Sequence, residues 1–327
     1  MMRKRINLPD FILKYKIAIA AILVLSLIFC AGVIVASIPP SSFPRNVIVR
    51  IDKDMTVSEA ALILEEKGII KSDFFYKIYI RLLHNGKGVQ TGSYLFDEPQ
   101  SALKVAYRTA YGVKNIEKIR LTIFEGMNSK ELAALLKKNL PMFDVVNFLV
   151  QAKADEGYLF PETYFIDPDV EPSEVIGMMR RQFDVMVKPL KEGFATSTRS
   201  VKDIIIMASI LEKEANNMTD RKIISGILWK RLDQGMALQI DVPFYYILNK
   251  GSNPLTLDDL ATPSPYNTYL NKGLPPTPIA NPGLDSIIAA LYPTQTPHYF
   301  YLADKEGITH YAVTHDEHVA NKLKYLK

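Results

Sequence analysis

The chain has 327 residues, of which 48% are hydrophobic and 23% are charged, and it contains one Cys. This composition supports more than one domain and excludes disordered, collagen-like and disulfide-scaffold proteins. The formal net charge is +4, and residues 1–16 alone hold five basic residues against one acidic residue. The rest of the chain is therefore electrically balanced, which argues against nucleic acid as a partner because nucleic acid requires a basic face.

Residues 17–38 form an apolar run without a charged residue. A run of this length is enough to cross a bilayer as one helix. The basic residues before it place residues 1–16 in the cytoplasm and everything after Pro40 outside, so the sequence predicts a single-pass protein of the cell (inner) membrane. A cleaved signal peptide is the alternative, although the run is longer than such peptides usually carry. Phe29 precedes Cys30 where a lipoprotein needs a small residue, so a thiol in lipid is expected instead.

A short proline-rich linker at residues 39–45 leads to a predicted small α+β module at residues 46–112. Its order of strand, two helices and strand resembles LysM-type carbohydrate-binding modules, and a spacer without a ligand is the open alternative. Alternating apolar residues indicate the strands, and capping residues before helical spacing indicate the helices. The predicted elements are a strand over Val47–Ile51, a helix from Thr56 to Leu64, a helix after Ser72, a strand over Gln90–Phe96 and a helix over Ser101–Tyr111.

Residues 113–327 predict a mainly helical domain, so the fold class of the whole chain is α+β. Residues 254–297 contain nine prolines, beginning with Pro254, and are expected to form Pro-rich loops beside the helices. A C-terminal hairpin and a closing helix complete the domain. The predicted elements are a strand over Lys118–Phe124, helices over Ser129–Lys138, Phe143–Ala152, Ser173–Phe194, Val201–Ala215 and Asp220–Leu232, a hairpin of His298–Ala303 with Ile308–Val313, and a helix over His315–Leu326.

Two glutamates near the end of one predicted helix are the first candidates for chemistry. Glu212 and Glu214 are two residues apart and lie on nearly opposite sides of the helix, so only one is expected to face the interior. Glu214 shares an apolar stripe with Met207 and Ile210, whereas Glu212 lies over Ala208. A carboxyl group against apolar neighbours stays protonated near neutral pH, as a general acid requires, which favours Glu214. Two solvated helix-end charges are the open alternative.

The segment Tyr266, Asn267, Thr268 and Tyr269 is the second candidate. It combines two aromatic rings and two hydrogen-bonding side chains between prolines. Sugars present an apolar face and a rim of hydroxyl groups, which suits such a surface. A rigid aromatic turn that fills the core of the domain is the alternative.

No metal and no cofactor are predicted. His315 and His318, with His310 nearby, lack a Cys or a fixed third ligand, so capping and surface roles at a helix start are expected for them. The sequence contains no Gly-rich phosphate loop, nucleophile elbow or HExxH motif. Nucleotide use, serine hydrolysis and zinc proteolysis therefore have no sequence support.

The chain resembles the YceG-like endolytic murein transglycosylases over essentially everything after residue 45. Several long strings occur in the family's order, which makes the resemblance specific. Phe124 replaces the family's usual Pro and Ile240 replaces a small or hydroxylated residue, and neither change touches a proposed catalytic group. The matching strings are TIFEGM at 122–127, DEGYLFPETY at 155–164, ASILEKEA at 208–215, LQID at 238–241, TPSPYNTY at 262–269 and GLPPTPIANPG at 273–283.

The resemblance implies that residues 113–327 form a catalytic domain that cleaves glycan strands of peptidoglycan internally. The family's catalytic acid corresponds to Glu214, which agrees with the stripe argument. Glu214 would protonate the bond between N-acetylmuramic acid (MurNAc) and N-acetylglucosamine (GlcNAc), and then accept the proton of the muramyl 6-hydroxyl as a 1,6-anhydro ring closes. Asp241 is assigned to stabilise positive charge on the sugar. The residues expected to line the sugar site are Glu212, Gln239, Asp241, Tyr266, Asn267, Thr268 and Tyr269.

The family is associated with glycan termination beside cell-wall synthases, which are the expected protein partners. Three other functions remain open from the sequence. A hydrolytic muramidase would use Asp241 as base or nucleophile and would leave a reducing end. A non-catalytic glycan-binding scaffold of the cell-wall machinery would use the small module and the tyrosine-rich loop. A subunit of a membrane transporter is a more distant alternative.

Overall fold

The computed structural model describes residues 8–84, 88–248 and 255–326, and the chain divides into two compact units, Met1–Glu117 and Lys118–Lys327. The first unit opens with helix α1, Leu8–Ser37, which contains an apolar window over Ala18–Val35 with mean hydropathy 3.0. A helix of this kind fits a membrane anchor or a signal sequence. It begins before residue 17, so the predicted cytoplasmic tail is partly helical, and residues 1–7 of that tail lie outside the described residues.

The rest of the first unit is mixed α and β. Strands β1 and β2 pair antiparallel, with Val47 opposite Phe96, and enclose a shared core with three helices. Thr56 caps the first of these helices through a reciprocal bond pair with Glu59, as its sequence position predicts. The order of strand, helix, helix and strand is therefore confirmed, while the LysM-like assignment stays a prediction. The elements are β1 (Val47–Ile51), α2 (Val57–Glu66), α3 (Asp73–His84), β2 (Gly92–Phe96) and α4 (Ala102–Tyr111).

The second unit is mostly helical with two small antiparallel sheets. Strands β3 and β4 form one sheet, and β5 and β6 form the other. The elements are β3 (Ile119–Thr122), α5 (Ser129–Asn139), α6 (Val145–Ala152), β4 (Thr163–Ile166), α7 (Pro172–Val187), α8 (Lys191–Thr196), α9 (Val201–Glu214), α10 (Met218–Asp233), α11 (Val242–Leu248), α12 (Leu257–Leu260), α13 (Leu284–Leu291), β5 (Phe300–Ala303), β6 (Thr309–Ala312) and α14 (His315–Tyr325).

Helix α9 runs through the core of this unit. Ser200 caps its N-terminus, and every residue from Ile204 to Leu211 is buried. The helix packs against α10, α11 and α13, whose apolar faces complete the same core. A helix that is buried on all sides is fixed rigidly. Its last residue, Glu214, is consequently held in a defined position.

Several sequence predictions of local structure need correction. The helix predicted over Ser173–Phe194 is interrupted by a 3-10 turn at Lys188–Leu190, because Pro189 has no N–H to continue the helical bonding. The region predicted as Pro-rich loops contains helices α12 and α13. Strand β4 and helix α11 were not predicted, and Pro254 lies outside the described residues.

Candidate active site

Glu214 lies at the C-terminal end of α9, on the wall of a cavity of about 390 Å³. The phenol of Tyr301 donates a hydrogen bond to its Oε2 atom at 2.9 Å. Burial raises the pKa of Glu214 to about 7; the bond from Tyr301 opposes this rise and the charge of Asp241 adds to it. Glu214 is therefore substantially protonated near neutral pH and can donate a proton.

The cavity brings together α9, α10, the segment after α10, β5 and α14. It holds the predicted residues Glu214, Gln239, Asp241 and Tyr269. Its mixed polar and aromatic wall suits a carbohydrate. The lining residues are Glu214, Arg231, Leu238, Gln239, Ile240, Asp241, Tyr269, Phe300, Tyr301, Leu302, Ala303, His315, His318 and Lys322.

Gln239 and Asp241 project from a segment with an unusual backbone. Gln239 has φ of 54°, in the left-handed region that side chains other than glycine rarely adopt. The guanidinium of Arg231 donates to its Oε1 atom at 2.6 Å, and the phenol of Tyr269 donates to Oδ1 of Asp241 at 2.6 Å. Both side chains are thus oriented before any ligand arrives.

Asn267 and Thr268 are fully buried, and this corrects their predicted contact with sugar. The Asn267 amide spans the turn by bonding to backbone groups on both sides, including the N–H of Tyr269 at 2.9 Å. The Thr268 hydroxyl accepts from the N–H of Ile240 and donates to its carbonyl. These two residues hold the cavity wall in position but do not line the cavity. For them, the alternative of a turn that fills the core of the domain agrees with the structure.

Tyr266 also lies away from the cavity. Its hydroxyl is 2.7 Å from that of Thr277, and its ring packs against Tyr246. Of the four residues in the predicted aromatic segment, only Tyr269 reaches the cavity that contains Glu214.

Glu212 corrects the expectation that only one of the two glutamates faces the interior. Its side chain is 5% exposed and pairs with the guanidinium of Arg221 at 2.8 Å. Its other oxygen accepts the N–H of Gly283 at 2.9 Å. The residues that share a helix face with Glu212 are as buried as those that share a face with Glu214, because α9 is covered on all sides. Glu212 therefore holds the end of α9 to neighbouring segments and does not line the cavity.

A third buried glutamate, Glu156, lies in a separate network of hydrogen bonds. Both of its oxygens accept the N–H of Ser129 at 3.1 Å, and Oε1 also accepts from Asn281 at 3.2 Å. Tyr246 contributes a further bond. Burial raises the pKa of Glu156 to about 7, against these hydrogen bonds. The neighbouring Gly157 has φ of 88°, and a Cβ there would lie 2.5 Å from Pro278, so this tight packing requires glycine.

The three histidines do not form one group. His315 and His318 line the cavity, whereas His310 bonds to Asp304 at 2.7 Å and stacks on Tyr325. Thr314, and not a histidine, caps α14. His315 is exposed at the start of α14, as expected, and both it and His318 also line the cavity.

Tyr301 and Arg231 are site residues that the sequence reasoning missed. Tyr301 is 87 residues from Glu214 along the chain, and Arg231 belongs to a helix with charged residues on several sides. Tyr301 lies in the predicted hairpin, where alternation places every second residue on one face. This alternation could have indicated which face of the hairpin carries Tyr301, but it does not reveal which helix packs against that face.

Fold and site together define a mostly helical domain with an acid-bearing cavity, and the comparisons with known proteins agree with this class. The chain belongs to the YceG-like family, which matches residues 49–324. A crystal structure of a YceG-like protein from Listeria monocytogenes superimposes with a TM-score of 0.58 at 29% identity, over 85% of this chain and 99% of that chain.

Two similar proteins bear a functional name. A Bacillus subtilis (strain 168) protein named endolytic murein transglycosylase is 30% identical over 308 residues, which cover 86% of this chain and 85% of that protein. A Streptococcus pneumoniae (strain D39) protein of the same name is 26% identical, and the match covers 86% of this chain and 59% of that longer protein.

Proposed function

We propose that this protein is an endolytic lytic transglycosylase of peptidoglycan, which cleaves the MurNAc–GlcNAc bond within nascent glycan strands and terminates their elongation. The observation that carries the proposal is Glu214: a carboxyl group with a pKa near 7, held by Tyr301 on the wall of a polar cavity. The chain's place in a family with relatives named endolytic murein transglycosylase supports the substrate class.

The reaction needs no water and no cofactor. Glu214 donates its proton to the glycosidic oxygen, the bond from that oxygen to C1 of MurNAc breaks, and GlcNAc leaves with a free 4-hydroxyl group. The muramyl 6-hydroxyl then bonds to C1, and its proton returns to the Glu214 carboxylate. Asp241, oriented by Tyr269, stabilises the positive charge that develops on the sugar ring. Gln239, fixed by Arg231, contributes hydrogen bonds to the sugar.

A hydrolytic muramidase is the second candidate, and one observation favours it. Asp241 lines the same cavity as Glu214, so the site holds two carboxyl groups, as glycosidases that use water do. In that mechanism Asp241 would activate water or attack C1, and the product would carry a reducing end.

The decisive experiment is digestion of purified peptidoglycan followed by mass spectrometry of the new ends. Anhydro ends, lighter than hydrated ends by one water, are the expected product. Reducing ends would establish the muramidase, and the absence of product at every pH from 5 to 8 would favour a glycan-binding scaffold. Glu214→Gln is the negative control, because Gln keeps the shape of Glu and cannot supply the acidic proton.

We also propose the arrangement around this domain. Residues 17–38 anchor the protein in the cell membrane with residues 1–16 in the cytoplasm, so that the catalytic domain lies outside beside the cell-wall synthases. Residues 46–112 act as a LysM-like module that helps to place the glycan. Retention of the N-terminus in the membrane fraction supports the anchor, and a soluble mature protein that starts near Ser37 would refute it.

A further inference from the structure

One part of the cavity wall is basic. His315, His318 and Lys322 are spaced three and four residues apart, which places them on one face of α14, and all three line the cavity. Arg231 of α10 lines it as well. We call these four residues the basic wall. Glu214 and Asp241 are the acidic residues of the described cavity lining, and neither forms an ion pair with the basic wall.

Arg231 is the buried member of the basic wall, with 6% of its surface exposed. Its guanidinium donates to the carbonyls of Ala237 and Tyr299 at 3.0 and 3.2 Å, and to Gln239 Oε1 at 2.6 Å. All three acceptors are neutral. A buried charge is costly unless it meets an opposite charge. Arg231 therefore forms no ion pair with a carboxylate of the described residues.

His318 lies close to Arg231 within the basic wall. The ring of Phe300 stacks on His318 with centroids 5.3 Å apart, and the Arg231 guanidinium lies 5.5 Å from the same ring. Desolvation, followed by the charges of Lys322, His315 and Arg231, lowers the pKa of His318. Nδ1 of His318 is buried and has no hydrogen-bond partner among the described residues. An anion in the cavity would interact favourably with the charges of Arg231 and Lys322 and would favour protonation of His318.

The substrate limits what that anion can be. The reacting sugar becomes positively charged at C1, so cationic side chains serve catalysis only if they bind a group away from that atom. The sugar hydroxyl and N-acetyl groups of a glycan strand are neutral. Its carboxylates lie on the lactyl side of the muramyl residue, either as the free lactyl group or on an attached stem peptide.

We propose that the basic wall binds a carboxylate on the lactyl side of the muramyl residue and so fixes which sugar occupies the cavity. The inference rests on the proposed function for its substrate, and it adds a specificity site that the catalytic residues do not provide. Lys322 is exposed at the edge of the basic wall, where a carboxylate can reach it. Arg231 is buried and provides a positive charge deeper in the cavity wall.

The test measures binding, so it does not depend on cleavage. Full-length Glu214→Gln protein in detergent is titrated with three soluble glycan preparations: peptide-bearing strands, strands stripped of peptide by an amidase, and peptide-bearing strands whose carboxylates are converted to amides. We expect the amidated strands to bind roughly 10-fold more weakly than the better of the other two. If the peptide-bearing strands bind better, the bound carboxylate lies on the stem peptide. If the stripped strands bind better, it is the free lactyl carboxylate.

Lys322→Gln should reduce this preference about 3- to 10-fold, and Lys322→Arg should retain it. Lys324→Gln is the matched control, because it removes the same charge from the same helix at a residue outside the cavity lining. Equal affinity for all three glycans, or an equal effect of Lys322→Gln and Lys324→Gln, would overturn the inference. Absence of cleavage by the wild type would refute the proposed function and leave this binding result standing.

Discussion

Glu214 and Glu156 are two desolvated carboxyl groups in the same unit with the same shift of pKa, and their surroundings differ. Burial raises the pKa of both to about 7. Glu214 accepts one hydrogen bond, from Tyr301, and lines a cavity. Glu156 is 6% exposed and is surrounded by Ser129, Asn281 and Tyr246.

A raised pKa therefore does not by itself identify a catalytic acid in this protein. Desolvation keeps a proton on both groups near neutral pH, but only Glu214 can deliver that proton to a ligand in a cavity. Glu156 instead links segments that are distant along the chain, since Asn281 also donates to the carbonyl of Met127 and accepts from Gly157. The same Glu→Gln change should therefore have different effects on activity at the two positions and similar effects on stability.

Glu214→Gln should have the largest effect on activity. Loss of a general acid typically costs 10²–10⁴-fold, and we expect about 10⁴-fold here because Asp241, the other carboxyl group of the described cavity lining, is assigned to stabilise charge and not to donate the proton. Release of anhydro ends from peptidoglycan, measured by mass spectrometry, checks this. Stability at pH 8 should be equal or greater, because the variant no longer buries a carboxylate. Near-normal cleavage by Glu214→Gln would contradict both the mechanism and the comparison.

Tyr301→Phe should have the next largest effect, about 10- to 30-fold on kcat/KM, because Glu214 loses its orientation. The hydrogen bond from Tyr301 lowers the pKa of Glu214, so its removal should raise that pKa further. Activity that requires protonated Glu214 declines as pH rises through its pKa, and this decline should move to higher pH in the variant. A pH profile measured from 5 to 9 checks the direction; a purely structural role would leave the decline in place.

Glu212→Gln should cost less activity, at most about 10-fold in the folded protein through local positioning. Its main effect should be on stability, because Arg221 would lose its buried partner, a change typically worth about 3–5 kcal/mol. Glu125 should offset part of this loss of stability, since burial and then repulsion from Glu212 raise the pKa of its carboxyl group, and the variant removes that repulsion. Urea unfolding and specific activity of the same preparation separate the two effects. A greater loss of activity than in Glu214→Gln would reverse the catalytic assignment.

The sequence predicted the local elements well where the signal was local. Thr56 caps its helix as expected, and both strands of the C-terminal hairpin are present. The failures have non-local causes. Strand β4 is four residues long and is stabilised by pairing with β3. Helix α13 lies in a proline-rich region, and because of these prolines the region was predicted as loops. The resemblance to the YceG-like family, which the comparisons confirm, indicated the function that hydrophobic periodicity alone could not indicate.

The site was predicted only in part, for a physical reason. Glu214 shares an apolar stripe, yet α9 is buried on every side, so burial of the helix face does not separate Glu214 from Glu212. Several of the shared strings that indicate the family meet around Glu212, Glu156 and Asn281, outside the cavity lining, whereas Glu214 and the string at 238–241 line the cavity. A sequence string shared with the family can therefore contain residues of a structural hydrogen-bond network as well as catalytic residues. Tyr301 and the basic wall come from distant segments, and only folding brings them to the cavity.

Glu156→Gln should have the smallest effect on activity, within about twofold, because Glu156 lies outside the cavity lining. Its effect on stability should depend on pH. The folded pKa is about 7 against an ordinary 4.5, so the folded state binds the proton more tightly. The free energy of unfolding therefore falls as pH rises from about 4.5 to 7, by roughly 3 kcal/mol for this group.

Glutamine cannot ionise, so Glu156→Gln should remove this part of the pH dependence, and Glu214→Gln should remove a part of similar size. Urea unfolding at pH 5 and pH 8 measures it, followed by the fluorescence of Trp229, the single Trp of the chain, which is 6% exposed in the core of this unit. The two variants should thus match in their effect on stability and differ by about four orders of magnitude in activity. Loss of cleavage in Glu156→Gln with unfolding unchanged would mean that Glu156 acts on the substrate, and the distinction between the two carboxyl groups would fail.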